Sequence, residues 1–586
     1  MKKSKKIINI IKKQNTYSII TKLLISLIFV SLIEILFFKN YFYTSAFFNS
    51  ISFLLHLLII ILVFLLLCLF SKNKLYKVWE PYILICTCLS LFIVTNAVAV
   101  NFYYALISSI MMGVLIYYYS NKIKSFFINR KTTIIICIGL GIFFVVFISS
   151  LTILYYLSHL TPSYDFAIFS QMFHYMNETL IPYTTIERSK LLSHFAVHFS
   201  PILYIFLPFY IIYSNPVTLL IMQAVVIALG LIPIYKLCKH YNYSNKIIIA
   251  LSIIYILMPA LIGGNFYYFH ENKILTVLIL YLFYFIEKGN SKLTALFALL
   301  VMLVKEDAAI YVGIIGLYLL FSKRKNIKGW YLIIASIIYF ALVTTLMQIY
   351  GEGIMTYRYE NFLFNGENSL VFVIINIIKN PAYLFYQLMN IEKLIFIIYI
   401  FVPMAMLPLA IKKPSGLILL LPLVLINLMT NYVYQYDIGF QYTYGSVAFL
   451  FYLAIINIKN LPKKVVKNLL ICGVSSSLIF FSATYFSKFT IIQSYINNIE
   501  QTKIINEGLK LIPDNMSVKA TTFFVANLWY IDELYDYDYT NKETDYVVLD
   551  LRYNKDNYNL NNYKTNKYEE LYYFDNIIAI YKLKKE

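Results

Sequence analysis

Charged residues are scarce in this sequence. They make up 13% of the 586 residues, whereas 60% are hydrophobic and the mean hydropathy is +0.70. Soluble proteins contain about 25% charged residues, so this composition excludes a string of soluble domains. Apolar runs of about twenty residues, enough for a helix to cross a bilayer, recur along most of the chain. The sequence therefore predicts an all-α polytopic membrane protein.

Cysteine is also scarce, and none occurs in the predicted outer loops or in the C-terminal tail. The six cysteines are Cys68, Cys86, Cys88, Cys137, Cys238 and Cys472. Their placement in or beside apolar segments excludes a disulfide framework and a paired CxxC zinc site. The phosphate-binding patterns GxxxxGK[ST] and strand–GxGxxG–helix are missing as well. Energy for any reaction would therefore come from an activated membrane substrate or an ion gradient.

Acidic residues are outnumbered, with 29 Asp and Glu against 49 Lys and Arg, for a net charge of +20. More than half of the basic residues fall in the N-terminal tail and in loops on one predicted side of the membrane. Only two acids, Glu80 and Glu287, share that side. Because basic loops stay in the cytoplasm, the charge indicates topology and not nucleic-acid binding. It predicts a multi-pass plasma-membrane protein with a cytoplasmic N-terminus.

Fifteen transmembrane helices fit the apolar runs and the charge asymmetry, which places the C-terminal tail outside the cell. The predicted spans are 17–38, 48–70, 81–100, 102–120, 132–157, 216–236, 246–264, 273–287, 291–304, 308–322, 329–350, 393–411, 414–432, 444–458 and 466–486. The apolar segment 201–213 is short and contains two prolines, which favours an outer-leaflet helix or a re-entrant segment.

The chain divides into three predicted parts. Residues 1–130 form a four-span extension, and residues 131–486 form a membrane core with outer loops 158–215 and 351–392. Residues 487–586 are more polar, with a helical pattern at about 494–511. Three strand-like segments follow, namely SVKAT (517–521), YVVLDL (546–551) and IIAIYKL (577–583). This tail predicts a small extracytoplasmic α/β domain.

The first outer loop carries an acidic residue and several histidines. Asp165, near its start, can act as a general base or hold a cation. Capping of the following helix by Ser163 or Asp165 is the alternative. His194 and His198 are four residues apart, so on a helix they share one face and can ligate a metal; local hydrogen bonding is the alternative.

Two further charged groups are predicted on the outer side. His270 and Glu271 precede a span, and His270 is a third candidate metal ligand. A solvated helix start is the alternative interpretation of this pair. The triplet Lys305-Glu306-Asp307 interrupts the apolar stretch 292–322, whose flanks are both basic. One long helix would bury three charges at the bilayer centre, so two short passes with the triplet at the outer tip are predicted. The triplet is either solvated at the interface or part of a phosphate or acid site, and Arg358 is another cation for an anionic headgroup.

Several segments resemble the predicted membrane proteins of domain-of-unknown-function family 2079 (DUF2079). They are YDFAIFSQ (164–171), HFAVHFSPIL (194–203), LVKED (303–307), MSVKATTFFVANLW (516–529) and TDYVVLDLR (544–552). The resemblance runs from about residue 145 to 560. That family is more distantly similar to the GT-C glycosyltransferases, such as protein O-mannosyltransferases and the enzymes that add aminoarabinose to lipid A.

The resemblance implies a GT-C-like core and a membrane enzyme that moves a sugar from a polyprenyl-phosphate donor to an envelope acceptor, with inversion. Asp165 would be the catalytic carboxylate, deprotonating or orienting the acceptor or holding a divalent cation. Lys305 and Arg358 would bind the donor phosphate. The remaining substrate-binding candidates near them are Glu271, Glu306 and Asp307. A single Asp165 after Tyr164 stands where such enzymes often have an acidic pair, which leaves metal use open.

A transporter or flippase for a lipid-linked or anionic envelope precursor is the competing hypothesis. Transporters usually carry ionisable groups near the bilayer midplane and show internal repeats. Here the predicted spans are nearly free of charge, with Lys22 and Glu34 as exceptions in the N-terminal extension. Charge concentrated at one surface favours an interfacial enzyme that contacts membrane lipids.

The predicted orientation can be tested with a cysteine introduced at Asp437 in a variant that lacks the six native cysteines. We expect a membrane-impermeant thiol reagent to label this cysteine in intact cells. Labelling only after lysis would show that the assigned orientation is wrong.

Overall fold

The computed structural model describes residues 15–38, 41–71, 74–123, 127–161, 164–322, 326–353, 355–553, 563 and 567–584. The basic N-terminal residues 1–14 and Ser163, a candidate helix cap, lie outside the described residues. Within the described residues the chain forms a bundle of helices followed by a small sheet.

Helices account for most of the described chain. Those of the N-terminal extension are α1 (Thr16–Phe37), α2 (Ser45–Ser50), α3 (Phe53–Phe70), α4 (Lys74–Ala99) and α5 (Phe102–Tyr119). Those of the core are α6 (Arg130–Leu157), α7 (Tyr164–Thr179), α8 (Leu207–Ile212), α9 (Pro216–Leu229), α10 (Leu231–His240), α11 (Asn245–Ile256), α12 (Pro259–Ile262), α13 (Ile274–Lys288), α14 (Ser291–Met302), α15 (Ala309–Phe321), α16 (Asn326–Tyr350), α17 (Leu370–Lys379), α18 (Pro381–Leu388), α19 (Ile391–Phe401), α20 (Tyr444–Ile458) and α21 (Lys463–Tyr485). The C-terminal part adds α22 (Thr490–Asn497), α23 (Ile499–Leu509) and α24 (Thr522–Val525).

Fewer helices are long enough to cross a bilayer than the sequence predicts. Nine described helices pass by length and apolar composition, or eleven if each of two bent pairs is one span. Nine of the fifteen predicted spans correspond to such helices. Predicted span 246–264 is a bent pair, and five others contain only shorter helices, namely 273–287, 291–304, 308–322, 393–411 and 414–432. A short buried helix is as apolar as a spanning one, so composition alone does not separate them.

The predicted double pass around Lys305 is present, and it is short. Helices α14 and α15 have 12 and 13 residues, or about 20 Å of helix each. The hydrocarbon core of a bilayer is about 30 Å thick. The hairpin returns at Lys305, so we expect this residue to lie recessed within the bundle and not at the membrane surface.

Two pairs of ionisable side chains lie within the described part of the N-terminal extension. Lys22 Nζ lies 2.7 Å from a carboxylate oxygen of Glu80 and contacts Ser18, while His56 Nδ1 lies 2.7 Å from Glu34. Pairing lowers the cost of placing such groups among apolar helices. Helices α4 and α5 of the extension pack on α21, so the extension is continuous with the core.

The C-terminal part contains a five-stranded sheet, as the strand-like segments predict. Its strands are β3 (Ser517–Ala520), β4 (Glu533–Asp536), β5 (Tyr546–Asp550), β6 (Tyr568–Phe574) and β7 (Ile578–Leu583), after a small pair β1 (Tyr183–Thr184) and β2 (Leu192–Ser193) in the first loop. The strand order is β4-β3-β5-β7-β6; β3 pairs in parallel with β4 and β5, and the other pairs are antiparallel. Strands β4 and β6 are additions to the three predicted.

Contacts attach this sheet to the first loop of the core. The amide of Gln171 on α7 donates hydrogen bonds to the carbonyl oxygens of Ile531 and Asp532, at 2.9 and 3.0 Å. The hydroxyl of Thr185 donates to the carbonyl oxygen of Leu534 and accepts from its amide, at 2.7 and 3.0 Å. The sheet is therefore fixed at the end of the bundle where α7 lies.

Close backbone contact at Gly263 generates a stability prediction. A Cβ at Gly263 would overlap the carbonyl oxygen of Ile438 and the hydroxyl of Tyr485. We expect Gly263→Ala to destabilise the protein by about 1–3 kcal/mol through overpacking, seen as a lower thermal unfolding midpoint in detergent. The control is Gly139→Ala in α6, where the new Cβ meets nothing within 4 Å. Equal midpoints for the two variants would contradict this packing.

Candidate functional site

Side chains from distant parts of the chain surround one cavity of about 150 Å³. They come from the start of α7, the loop after it, the segment before α13, the α14–α15 turn and two later loops. The described lining residues are Tyr164, Asp165, Ile168, Phe169, Glu187, Arg188, His194, His198, Tyr267, His270, Lys305, Met355, Tyr357, Arg358, Tyr432, Tyr434, Phe440, Gln441 and Tyr442. The cavity is lined mainly by polar, charged and aromatic groups.

Asp165 lies in the first turn of α7 and lines the cavity. It is the second residue of the helix and so is not its N-cap. A carboxylate in the first turn still interacts favourably with the helix dipole. The Tyr267 hydroxyl hydrogen-bonds to this carboxylate. Burial raises the pKa of Asp165, and nearby His270 and Lys305 oppose that rise. A carboxylate in this setting can accept a proton from a bound ligand.

Glu271, Lys305 and His270 form a buried ionic cluster beside Asp165. Glu271 lies 2.9 Å from His270 Nδ1 and 3.6 Å from Lys305 Nζ, and its side chain has 0% exposure. Lys305 and His270 line the cavity, whereas Glu271 lies behind them. The carboxylate therefore lies within ion-pair distance of Lys305 and stabilises the lysine as an ammonium ion.

Two more histidines have carboxylate partners. His194 Nδ1 lies 2.8 Å from Glu187, and His198 Nδ1 lies 3.0 Å from Glu306, which also accepts from the amide of Phe199. Burial opposes protonation of His194, yet the adjacent Glu187 leaves the pKa of His194 raised. The same contact outweighs burial at Glu187, and its pKa is lowered. An imidazolium–carboxylate pair is therefore favoured at this wall.

The structure does not join His194, His198 and His270 into one set of metal ligands. Among the described residues, the group of three ligand-type side chains close enough for a metal is His174, Glu178 and Asp532, which lies away from the cavity. Each of the three cavity histidines instead contacts a different carboxylate. Around Asp165 the neighbouring charges include Lys305, so these residues fit a divalent cation poorly.

Arg358 is held by aromatic rings. Its guanidinium carbon lies 5.2 Å from the ring centre of Tyr432 and 5.1 Å from that of Tyr442, a cation–π arrangement. No described carboxylate lies within 4 Å of its nitrogens, and Nε has no hydrogen-bond partner within the described chain. Arg358 is therefore a positioned cation available to an anionic ligand. Arg188, by contrast, is 2.6 Å from Glu352.

The candidate residues divide into two groups. The structure brings six of them to the cavity wall, namely Asp165, His194, His198, His270, Lys305 and Arg358. The other three are not among its described lining residues: Glu271, Glu306 and Asp307. Their chemical roles remain predictions.

Sequence reasoning did not single out Glu187, Tyr267, Gln441 or the aromatic residues of the wall. The sequence contains 56 tyrosines, so an individual tyrosine carries little signal. Glu187 is separated from its partner His194 by seven positions in an irregular loop, where no helical or strand spacing relates the two residues.

Comparison with known proteins places the chain in a family. Residues 155–578 match the family model described as "Predicted membrane protein (DUF2079)". No curated protein sequence matches the chain. The crystal structure of ArnT from Cupriavidus metallidurans bound to undecaprenyl phosphate aligns with 75% of this chain and 97% of its own, at a TM-score of 0.40 and 11% identity. Since the family model covers most of the 586 residues, the chain belongs to the DUF2079 family of predicted membrane proteins.

Proposed function

We propose that this protein is a GT-C-type glycosyltransferase that uses a polyprenyl-phosphate sugar at the outer face of the membrane. One observation carries the proposal: a carboxylate, Asp165, shares a recessed cavity with Lys305 and with Arg358, a cation without a carboxylate within 4 Å in the described chain. This pairing of a base with positioned cations is what transfer from a phosphate leaving group requires.

In the proposed reaction, an acceptor hydroxyl attacks the anomeric carbon of the donor sugar. Asp165 takes the hydroxyl proton while the bond from the anomeric carbon to the phosphate oxygen breaks. The electron pair leaves with polyprenyl phosphate, and the configuration inverts. Tyr267 orients the carboxylate of Asp165 through its hydrogen bond. No metal enters the scheme, because the groups around Asp165 fit one poorly.

The leaving phosphate would bind Lys305 and Arg358. Negative charge grows on the phosphate as the bond breaks, and preorganised cations stabilise that charge more than they stabilise the ground state. Glu271 and the two tyrosine rings already hold these cations in place. Little reorganisation is then needed during the reaction.

Transport or flipping of an anionic lipid precursor is the second candidate, and a specific feature favours it. Helices α11 and α12 form a discontinuous pair, with a bend of 54° at the break between Ile256 and Pro259. The second half of this pair continues to Tyr267, which lines the cavity. Broken helices beside a binding site are common in transporters. Lys273, at the start of α13, is also buried and contacts Gln223 and the carbonyl oxygen of Tyr268.

Replacing the proposed base separates these candidates. We expect Asp165→Asn to lower sugar transfer from an undecaprenyl-phosphate glycoside by about a hundredfold to ten-thousandfold, measured with purified protein in nanodiscs. A transporter would instead show no sugar transfer in the wild type and would move lipid in proteoliposomes. The control is Asp514→Asn, at an exposed position in the tail, for which we expect wild-type rates. Unchanged transfer by Asp165→Asn would rule out Asp165 as the base.

The same variant has an expected effect on stability. Burial raises the folded-state pKa of Asp165 above its ordinary value, so the ionised side chain destabilises the fold once the pH exceeds that ordinary value. Asparagine lacks this charge. We expect Asp165→Asn to unfold at a higher temperature than wild type at neutral pH, with the difference shrinking below the pKa of an unburied aspartate. A difference that stays constant over this pH range would contradict the assignment.

Arg358 provides a test of phosphate binding. A lysine cannot stack on two rings as a guanidinium does, so we expect Arg358→Lys to weaken binding of undecaprenyl phosphate about tenfold. Arg188→Lys is the matched control, because Arg188 also lines the cavity but is neutralised by Glu352. Equal affinities for the two variants in a nanodisc binding assay would show that Arg358 does not bind the phosphate.

A further inference from the structure

One wall of the cavity is aromatic and belongs to the segment before α20. The ring of Phe440 lies with its centre 4.5 Å from that of Tyr267 and 4.4 Å from that of Tyr434. The interplanar angles are 49° and 48°, so these rings do not cover one another face to face. Tyr434 is 41% exposed. Parts of the ring faces therefore stay available to a ligand.

Buried hydrogen bonds hold the backbone of this wall. The amide of Asn427 donates to the carbonyl oxygens of Gln435 and Tyr442, at 2.6 and 3.1 Å, and the hydroxyl of Thr443 donates to the carbonyl oxygen of Ala260 at 2.8 Å. Both side chains are fully buried. The wall is thus fixed before any ligand arrives, which lowers the entropy cost of binding.

Gln441 presents an unused polar group within this wall. The residue is 2% exposed and lines the cavity, yet its Oε1 has no hydrogen-bond partner in the described part of the chain. A buried amide oxygen without a partner is costly, so a hydrogen-bond donor on a ligand next to Gln441 would be favoured there. The missing partner is a donor, such as a hydroxyl.

We propose that Gln441, Tyr267, Tyr434 and Phe440 form the sugar subsite of the cavity, where the amide of Gln441 binds a ring hydroxyl. This inference rests on the proposed transfer reaction. A saccharide combines apolar C–H faces with hydroxyl donors, which matches ring faces beside a buried acceptor. The hydrogen bond between Tyr267 and Asp165 places this subsite next to the proposed base, whereas Lys305 and Arg358 bind the phosphate.

The chemistry of the wall favours a saccharide over an acyl chain. An acyl chain would leave the amide of Gln441 without a partner, and a site with a buried polar group disfavours ligands that cannot pair with it. The subsite therefore contributes to affinity only when the lipid phosphate carries a sugar. Comparing the affinity for lipid phosphate that carries a sugar with the affinity for bare lipid phosphate tests this contribution directly.

The experiment compares binding of bare undecaprenyl phosphate with binding of its glucosyl, galactosyl, mannosyl and arabinosyl forms to full-length protein in nanodiscs. We expect wild type to bind at least one glycoside about tenfold more tightly than the bare lipid, the size of one or two good polar contacts. Gln441→Leu should remove most of that gain and leave the affinity for bare lipid unchanged.

A second variant tests the subsite independently, in case Gln441→Leu fails to fold. Tyr434→Ala changes a partly exposed ring and should also reduce only the affinity for glycoside, whereas Tyr436→Ala, in the same turn but outside the described lining, should not. Equal wild-type affinity for bare and loaded lipid, or equal losses for both lipids in Gln441→Leu and Tyr434→Ala, would overturn the sugar subsite alone. Failure of wild type to bind any of the five lipids would overturn the proposed function and the subsite with it.

Discussion

The carboxylate of Glu271 is the buried charge on which the arrangement of the cavity depends. It has no exposed side-chain surface and lies between His270 Nδ1 and Lys305 Nζ, at 2.9 and 3.6 Å. Removing one partner of a buried ion pair typically costs about 3–5 kcal/mol of folding free energy. The turn between α14 and α15 therefore has to place Lys305 beside Glu271 inside the bundle. The same contact fixes the ammonium at the cavity wall near Asp165. Stability and placement of the site thus depend on one ionic cluster.

Helix α20 explains how such a site can lie inside the bundle. Within Gln441–Ile458, 94% of the residues are buried, so this helix has protein and not lipid on nearly all sides. The short turn just before it, Gln441–Thr443, carries Gln441 and Tyr442. Tyr311 packs where a side chain at Gly445 would have to lie. Short helices and the bent α11–α12 pair then surround a polar cavity. In a bundle of straight, full-length helices, packed side chains would occupy this space. The irregular helices are therefore the structural condition for a recessed site.

Sequence patterns predicted the membrane class, three of the strands of the tail and six residues of the cavity wall. They predicted the lengths of the core helices less well. Lys305 was identifiable because charge between apolar runs is costly and therefore rare. The number of helices that reach spanning length was not, since α13 is as apolar as a spanning helix and differs by the neighbours that bury it. Gln441 gave no signal either, because its significance comes from an unpaired buried oxygen, which only packing creates.

The C-terminal sheet contacts the turn that leads to the site, and the family match extends into this sheet, to residue 578. Arg552, in the TDYVVLDLR segment, is 2.7 Å from Asp550 and donates to the carbonyl oxygens of Ser158 and His159, at 3.2 and 2.6 Å. These carbonyls follow α6, where helix ends leave acceptors unsatisfied. The turn that they stabilise leads into α7 and hence to Asp165. A tail attached at this turn therefore constrains where the carboxylate lies.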